Sequence, residues 1–153
     1  MMAKSIGTRT LMVGVAALTM VTSITAVHSP DVEVVLKSQN TIGTRPDGST
    51  VLIDIKLTVV GPNPSSLTGA GRHFGSGGTH AYWDVTGGII GNIMTLEGTV
   101  QDTNNPVYLG SPILVTADLT SEIVTFAFGP LTGGPFEGHT IVTEGPGRIQ
   151  IRD

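Results

Sequence analysis

From Val32 onward, apolar and polar residues alternate in short runs broken by Gly, Pro, Asn and Asp, and no window carries an apolar stripe of helical period. In VEVVLKSQ, Val32, Val34 and Leu36 share one face while Glu33, Val35 and Lys37 share the other. In VLIDIKLTVV, Ile53, Ile55, Leu57 and Val59 alternate with Leu52, Asp54, Lys56 and Thr58. Between these runs lies Pro46-Asp47-Gly48, a turn signal because proline pre-sets φ and glycine supplies positive φ. A hairpin tipped at Arg45 to Gly48 that pairs Thr44 with Ser49 places Leu36 opposite Leu57 and Val34 opposite Val59. Both apolar rows then share a face, so the register is consistent with one buried side.

The alternation continues. THAYWDV sets Ala81, Trp83 and Val85 on one face and His80, Tyr82 and Asp84 on the other. Later runs align Met94, Leu96 and Val100, then Ile113, Val115 and Ala117, then Val124, Phe126 and Phe128. TIVTE and GRIQIRD read as the last two strands, separated by glycine and proline. Gly61 to Gly78, rich in both residues, reads as one long loop. Val, Ile and Thr dominate throughout, which favours pleated surfaces over helices. About eight strands with hairpin-length connections predict an all-β fold, a small antiparallel barrel. A two-sheet β-sandwich is the alternative, with the loops at 61–78 and 129–139 crossing between sheets. An outer-membrane barrel is not expected, since the outward faces carry Lys, Asp, Glu and Arg and too few aromatic residues remain for two girdles.

The N-terminal segment differs from the rest. Lys4 and Arg9 precede an apolar run from Leu11 to Ala26, and Ile24 and Ala26 suit the −3 and −1 positions of a signal-peptidase site. Residues 1–26 are therefore expected to be a signal peptide, leaving 27–153 as a single all-β domain, secreted or periplasmic. The rival reading is an uncleaved anchor, but the run is short against the roughly 20 apolar residues of a span. No stable membrane insertion is expected after cleavage.

The segment holds two cations and no acid, so the formal charge moves from −4 for the whole chain to −6 for the remainder. No basic stripe is visible along the sequence, which argues against nucleic acid as a partner. Cysteine is absent, so disulfides, thiol catalysis and cysteine-held metal or haem are excluded. No cofactor is expected.

Candidate chemistry concentrates in GAGRHFGSGGTHAYWDVTGG, Gly69 to Gly88. Its glycines suggest a phosphate cradle by composition, yet the Gly-Lys-Ser/Thr ending is missing and no helix follows. His80 and Asp84 are four residues apart on one strand, roughly 13 Å, too far to share a metal. Ser76 lacks the flanking glycine of a nucleophile elbow, because position 74 is phenylalanine. No catalytic residue and no metal ligand is therefore assigned.

What remains is a ligand site of Arg72, His73, His80, Tyr82 and Asp84. The expectation is that Phe74 packs against a barrel mouth lined by the 69–80 and 129–139 loops and presents Arg72 and His73 to a small anionic or polar ligand. The first functional reading is thus a non-enzymatic binding module for a small polar or apolar ligand at one end of the barrel. A structural or surface-assembly subunit without ligand is the alternative, and a homo-oligomer suits either. An enzyme of the cyclase or isomerase type is the third reading, and it requires a titratable group inside an otherwise apolar lumen.

Overall fold

A computed structural model describes residues 31–153; the expected signal peptide and its cleavage site after Ala26 lie outside the described residues. The strands are β1 (Val32–Thr44), β2 (Thr50–Asn63), β3 (Ser66–Gly75), β4 (His80–Ile90), β5 (Ile93–Thr103), β6 (Pro112–Asp118), β7 (Ile123–Phe128) and β8 (Ile141–Arg152). A single 3₁₀ turn, Pro106–Tyr108, interrupts the link from β5 to β6. Each strand pairs antiparallel with the next, and β1 also pairs with β8. The sheet closes into a barrel with strands in sequential order, so the sandwich alternative is not what forms.

Closure follows from the alternation. Every strand directs one row inward, and Val34, Leu36, Leu57, Val59, Trp83, Val85, Met94, Leu96, Val115 and Phe126 are all buried. The outward positions between them carry the charges and threonines. Trp83 is 1% exposed and Tyr82 41%, which establishes the phase of β4.

The β1–β2 register matches the expectation at one end and departs from it at the other. Leu36 stands opposite Leu57 and Val34 opposite Val59, but Thr44 stands opposite Thr50, one residue beyond Ser49. A bulge between Ser38 and Thr41 accounts for the difference. Asn40 sits there at a φ of 57°, a conformation asparagine tolerates better than most residues. The Asp54 carboxylate accepts its backbone N–H at 2.7 Å. Across the other edge of β1 lies Pro146, which has no N–H to donate, and its carbonyl accepts the Ser38 hydroxyl at 2.6 Å. Beyond the bulge the buried residue of β1 changes from Ser38 to Thr41, and Thr41 bonds Thr143 inside the barrel at 2.7 Å.

Two expectations are corrected. The stretch 61–78 is not a long loop: β2 and β3 meet at a turn centred on Pro64 and Ser65, and Gly69 to Gly75 form most of β3. The two closing strands are one, because β8 runs through Gly145-Pro146-Gly147 without a break. The count of eight thus survives by exchange, one strand gained at 66–75 and one lost at the end.

Candidate functional site at the barrel mouth

The two ends of the barrel are built differently. At one end the strands are joined by loops 45–49, 76–79, 104–111 and 129–140; at the other, tight turns at 64–65, 91–92 and 119–122 suffice. The long loops are braced against one another. Asn104 accepts the backbone N–H of His80 at 2.9 Å and donates to the Gly78 carbonyl at 2.9 Å. Thr132 donates its hydroxyl to the Val107 carbonyl at 2.7 Å and its N–H to Ser111 Oγ at 3.1 Å. The 129–140 loop also closes on itself, the N–H groups of Leu131 and Gly138 bonding the carbonyls of His139 and Leu131. Leu131 is buried beneath it.

These loops surround a cavity of about 490 Å³. Val51, Ile53, Phe128, Leu131, Phe136 and Ile141 supply its apolar wall, and Arg45, Asp47, Thr79 and Asn105 its rim. Tyr108 enters the same wall, its ring edge-on to Phe128 at 5.5 Å. On the rim Arg45 donates to the Thr50 carbonyl at 2.8 Å. The Ser49 hydroxyl and N–H hold the Asp47 carboxyl below the usual carboxylate range.

Two titratable side chains lie in this wall below the rim, the Tyr108 phenol and His73, on β3. The His73 ring rests between Phe126 at 4.9 Å and Phe128 at 4.8 Å. Trp83, from the neighbouring strand, donates its indole N–H to His73 Nδ1 at 3.1 Å. Burial, with a lesser contribution from nearby His80, pushes the His73 pKa down from 6.5 to about 4, so the ring is neutral near pH 7.

The tautomer then follows from elementary chemistry. An indole N–H can only donate, so Nδ1 is the bare nitrogen and the proton of the neutral ring sits on Nε2. Among the described residues no buried side-chain nitrogen or oxygen lacks a partner. Nε2 bonds none of them, and the ring, only 1% exposed, forms part of the cavity wall. His73 offers that space a neutral N–H donor, held in place by Trp83.

The local sequence explains the arrangement. The inward positions of β3 read Leu67, Gly69, Gly71, His73, Gly75. Gly71 stands opposite Trp83, and a methyl group there would collide with the indole ring and with Leu57. The glycines leave β3 nearly bare so that the indole can lie across it toward His73.

The candidates Arg72, His73, His80, Tyr82 and Asp84 do not come together. Of the five, only His73 lines the mouth cavity. Tyr82 and Asp84 are exposed on the outer wall, and His80 stands at the start of β4 opposite Phe74. Arg72 also lies outside, its guanidinium 5.5 Å from the centre of the Phe74 ring. Phe74 does not pack against the mouth; it is 42% exposed on the outer face. Once Gly69 to Gly75 is a strand, alternation sends Arg72 and Phe74 out and His73 in. Residues the sequence reading missed are Val51, Ile53, Tyr108, Phe128 and Ile141, whose place at the mouth follows from hairpin parity once β3 is counted. Among the described residues no three of His, Asp and Glu gather as metal ligands.

Comparison with known protein families, with curated proteins and with solved structures finds no match to this chain.

Proposed function

We propose that this chain is an exported, non-enzymatic binding module that takes a small, largely apolar molecule carrying one oxygen acceptor into the mouth of its barrel. The observation that supports the reading is His73, a neutral N–H donor held by Trp83 in a wall that is mostly apolar and aromatic, with the Tyr108 hydroxyl as its other polar group below the rim. Pockets of a few hundred Å³ with few placed polar groups are the usual form of small-molecule sites. A carbonyl or ether oxygen satisfies Nε2–H, while a carboxylate finds no cation at that depth. Export is supported by the basic and then apolar N-terminal segment ending at Ala26.

The test is a thermal-shift screen of apolar ketones, esters, ethers and matched hydrocarbons against the wild type and His73→Phe. A ligand at a hundred times its Kd adds about 2.7 kcal/mol to the wild type. The oxygen-bearing compounds are expected to lose most of their shift in the variant, and the hydrocarbons to change little. Arg72→Ala, on the outer wall, leaves both unchanged. A screen in which no compound shifts the wild type favours a structural subunit instead.

His73 also favours a second reading, an isomerase or cyclase. The neutral Nε2–H that anchors an oxygen would polarise a carbonyl as charge develops on it. With Nδ1 tied to Trp83, the ring is an electrophile and not a base. Chromatography of each bound compound after incubation separates the two, since a binder returns it unchanged.

A further inference from the structure

The domain is acidic, yet its cations are not scattered. Lys4 and Arg9 lie outside the described residues, leaving six lysines and arginines against twelve acids. Four of the six stand side by side on the outer wall. Arg148 of β8 is opposite Lys37 of β1, Lys37 opposite Lys56 of β2, and Lys56 opposite Arg72 of β3. Tyr82 of β4 follows, opposite Arg72, and exposed Phe74 lies two residues along β3 beneath the Arg72 guanidinium. Shallow depressions lie along the row, one lined by Lys37, Lys56 and Arg72 with Asp54 at its edge, another by Lys37 and Arg148 with Glu122 at its edge.

Like charges directly opposite one another weaken a sheet. Among the described residues none of the four makes an ion pair; the one ion pair joins Arg152 to Glu33. A fold with twelve acids available places no acid in this row between Arg148 and Tyr82.

The geometry points to a linear anionic polysaccharide as the occupant: we propose that this row binds a sugar chain bearing carboxylate or sulfate groups. Three features of the wall select it. The row runs around the barrel across four of its eight strands, so a flat membrane or a rigid globular partner meets only part of it, whereas a flexible polymer wraps along all of it. Neighbouring cations are separated by one strand spacing, about 4.8 Å, close to the advance of one sugar ring. Tyr82, at the end of the row, and Phe74 beside it are exposed aromatic side chains against which a sugar can pack. Duplex nucleic acid, with a charge about every 1.7 Å, would meet the repulsion of the surrounding acids over a much larger area.

Titration calorimetry of the whole protein against oligogalacturonate, a sulfated dextran oligomer and oligodeoxythymidylate tests this, each at several salt concentrations. Binding of at least one glycan is expected, with affinity falling linearly in log salt; which of the two binds distinguishes carboxylate from sulfate. Lys56→Gln with Arg72→Gln should lower that affinity about tenfold or more and reduce the salt slope by about two. Lys37→Gln with Arg148→Gln, in the other half of the row, should do the same. These positions face solvent, so melting curves of the variants are expected to match the wild type. His73→Phe at the mouth should leave glycan binding intact, which keeps this site separable from the mouth cavity. The proposal is overturned if neither glycan binds, if binding survives both double substitutions, or if oligodeoxythymidylate binds more tightly than either glycan.

Discussion

The barrel's two ends are made by the same eight strands and are built in opposite ways. At the tight-turn end Val59, Leu67, Met94, Ala117 and Val124 are buried, and Ile89 and Ile149 pack over them. At the mouth the strands end on longer loops, and a cavity of about 490 Å³ remains above His73. Short turns bring neighbouring strands together at once and leave nothing to line a space. Long loops need their own internal hydrogen bonds, and here those bonds hold the loops around the opening. One end is packed shut and the other stays open.

The junction of the two ends is where substitution should cost most. Trp83→Ala is expected to lose about 3–5 kcal/mol in denaturant titration, because it removes the largest buried side chain and orphans His73 Nδ1. Tyr82→Ala, one residue away on the outer wall, should cost well under half of that. Equal costs would mean that the indole is not the centre of the core.

Next in size is a direct contrast of the ends. Met94→Ala at the tight-turn end should cost about 2–5 kcal/mol, whereas Phe136→Ala at the mouth should cost only about 1 kcal/mol. A reversed order under chemical denaturation would break the division between a packed end and an open one.

Acidification sharpens the same contrast. The folded pKa of His73, about 4, lies below its ordinary 6.5, so the unfolded chain takes up the proton more readily. The stability that depends on a neutral ring is therefore complete above about pH 6.5 and is lost as pH falls toward 4. Between pH 7 and pH 5 the wild type should lose about 2 kcal/mol more than His73→Phe, read from paired urea titrations. Parallel losses would show that the ring is solvated in the folded state.

The smallest effect belongs to the loops. Deleting Gly133 to Glu137 from the 129–140 loop should cost little beyond the roughly 1 kcal/mol of losing Phe136, since loop closure depends only weakly on length. The same deletion should abolish ligand-induced shifts at the mouth. A large fall in melting temperature would mean that this loop belongs to the core.

Much of this architecture was legible in the chain. Period-two alternation identified the inward rows of β1, β2, β4, β5, β6 and β7, and it placed Trp83 inside. It failed on β3, where the inward residues are mostly glycine and an apolar row is therefore missing. The signal was present in another form, glycines at 69, 71 and 75 with His73 in phase between them. Composition outweighed periodicity, and the consequence reached the site: read as a loop, the segment put Arg72, His73 and Phe74 on one surface, when a strand must divide them. The Thr44–Ser49 pairing failed for a similar reason, since the bulge at Asn40 changes parity without interrupting the strand.

By itself the sequence determined the β class, the polarity of each strand's two faces and the absence of any thiol chemistry. These are local properties, because a side chain's face depends only on its count along its own strand. The tertiary structure alone decided which residues meet across strands. Closure of β1 onto β8 brought Arg148 beside Lys37, and pairing of β3 with β4 brought Trp83 to His73. It also gathered the four long loops at one end. Such juxtapositions depend on hydrogen-bond register between segments far apart in the chain, and register is settled only when all eight strands bury their inner faces together.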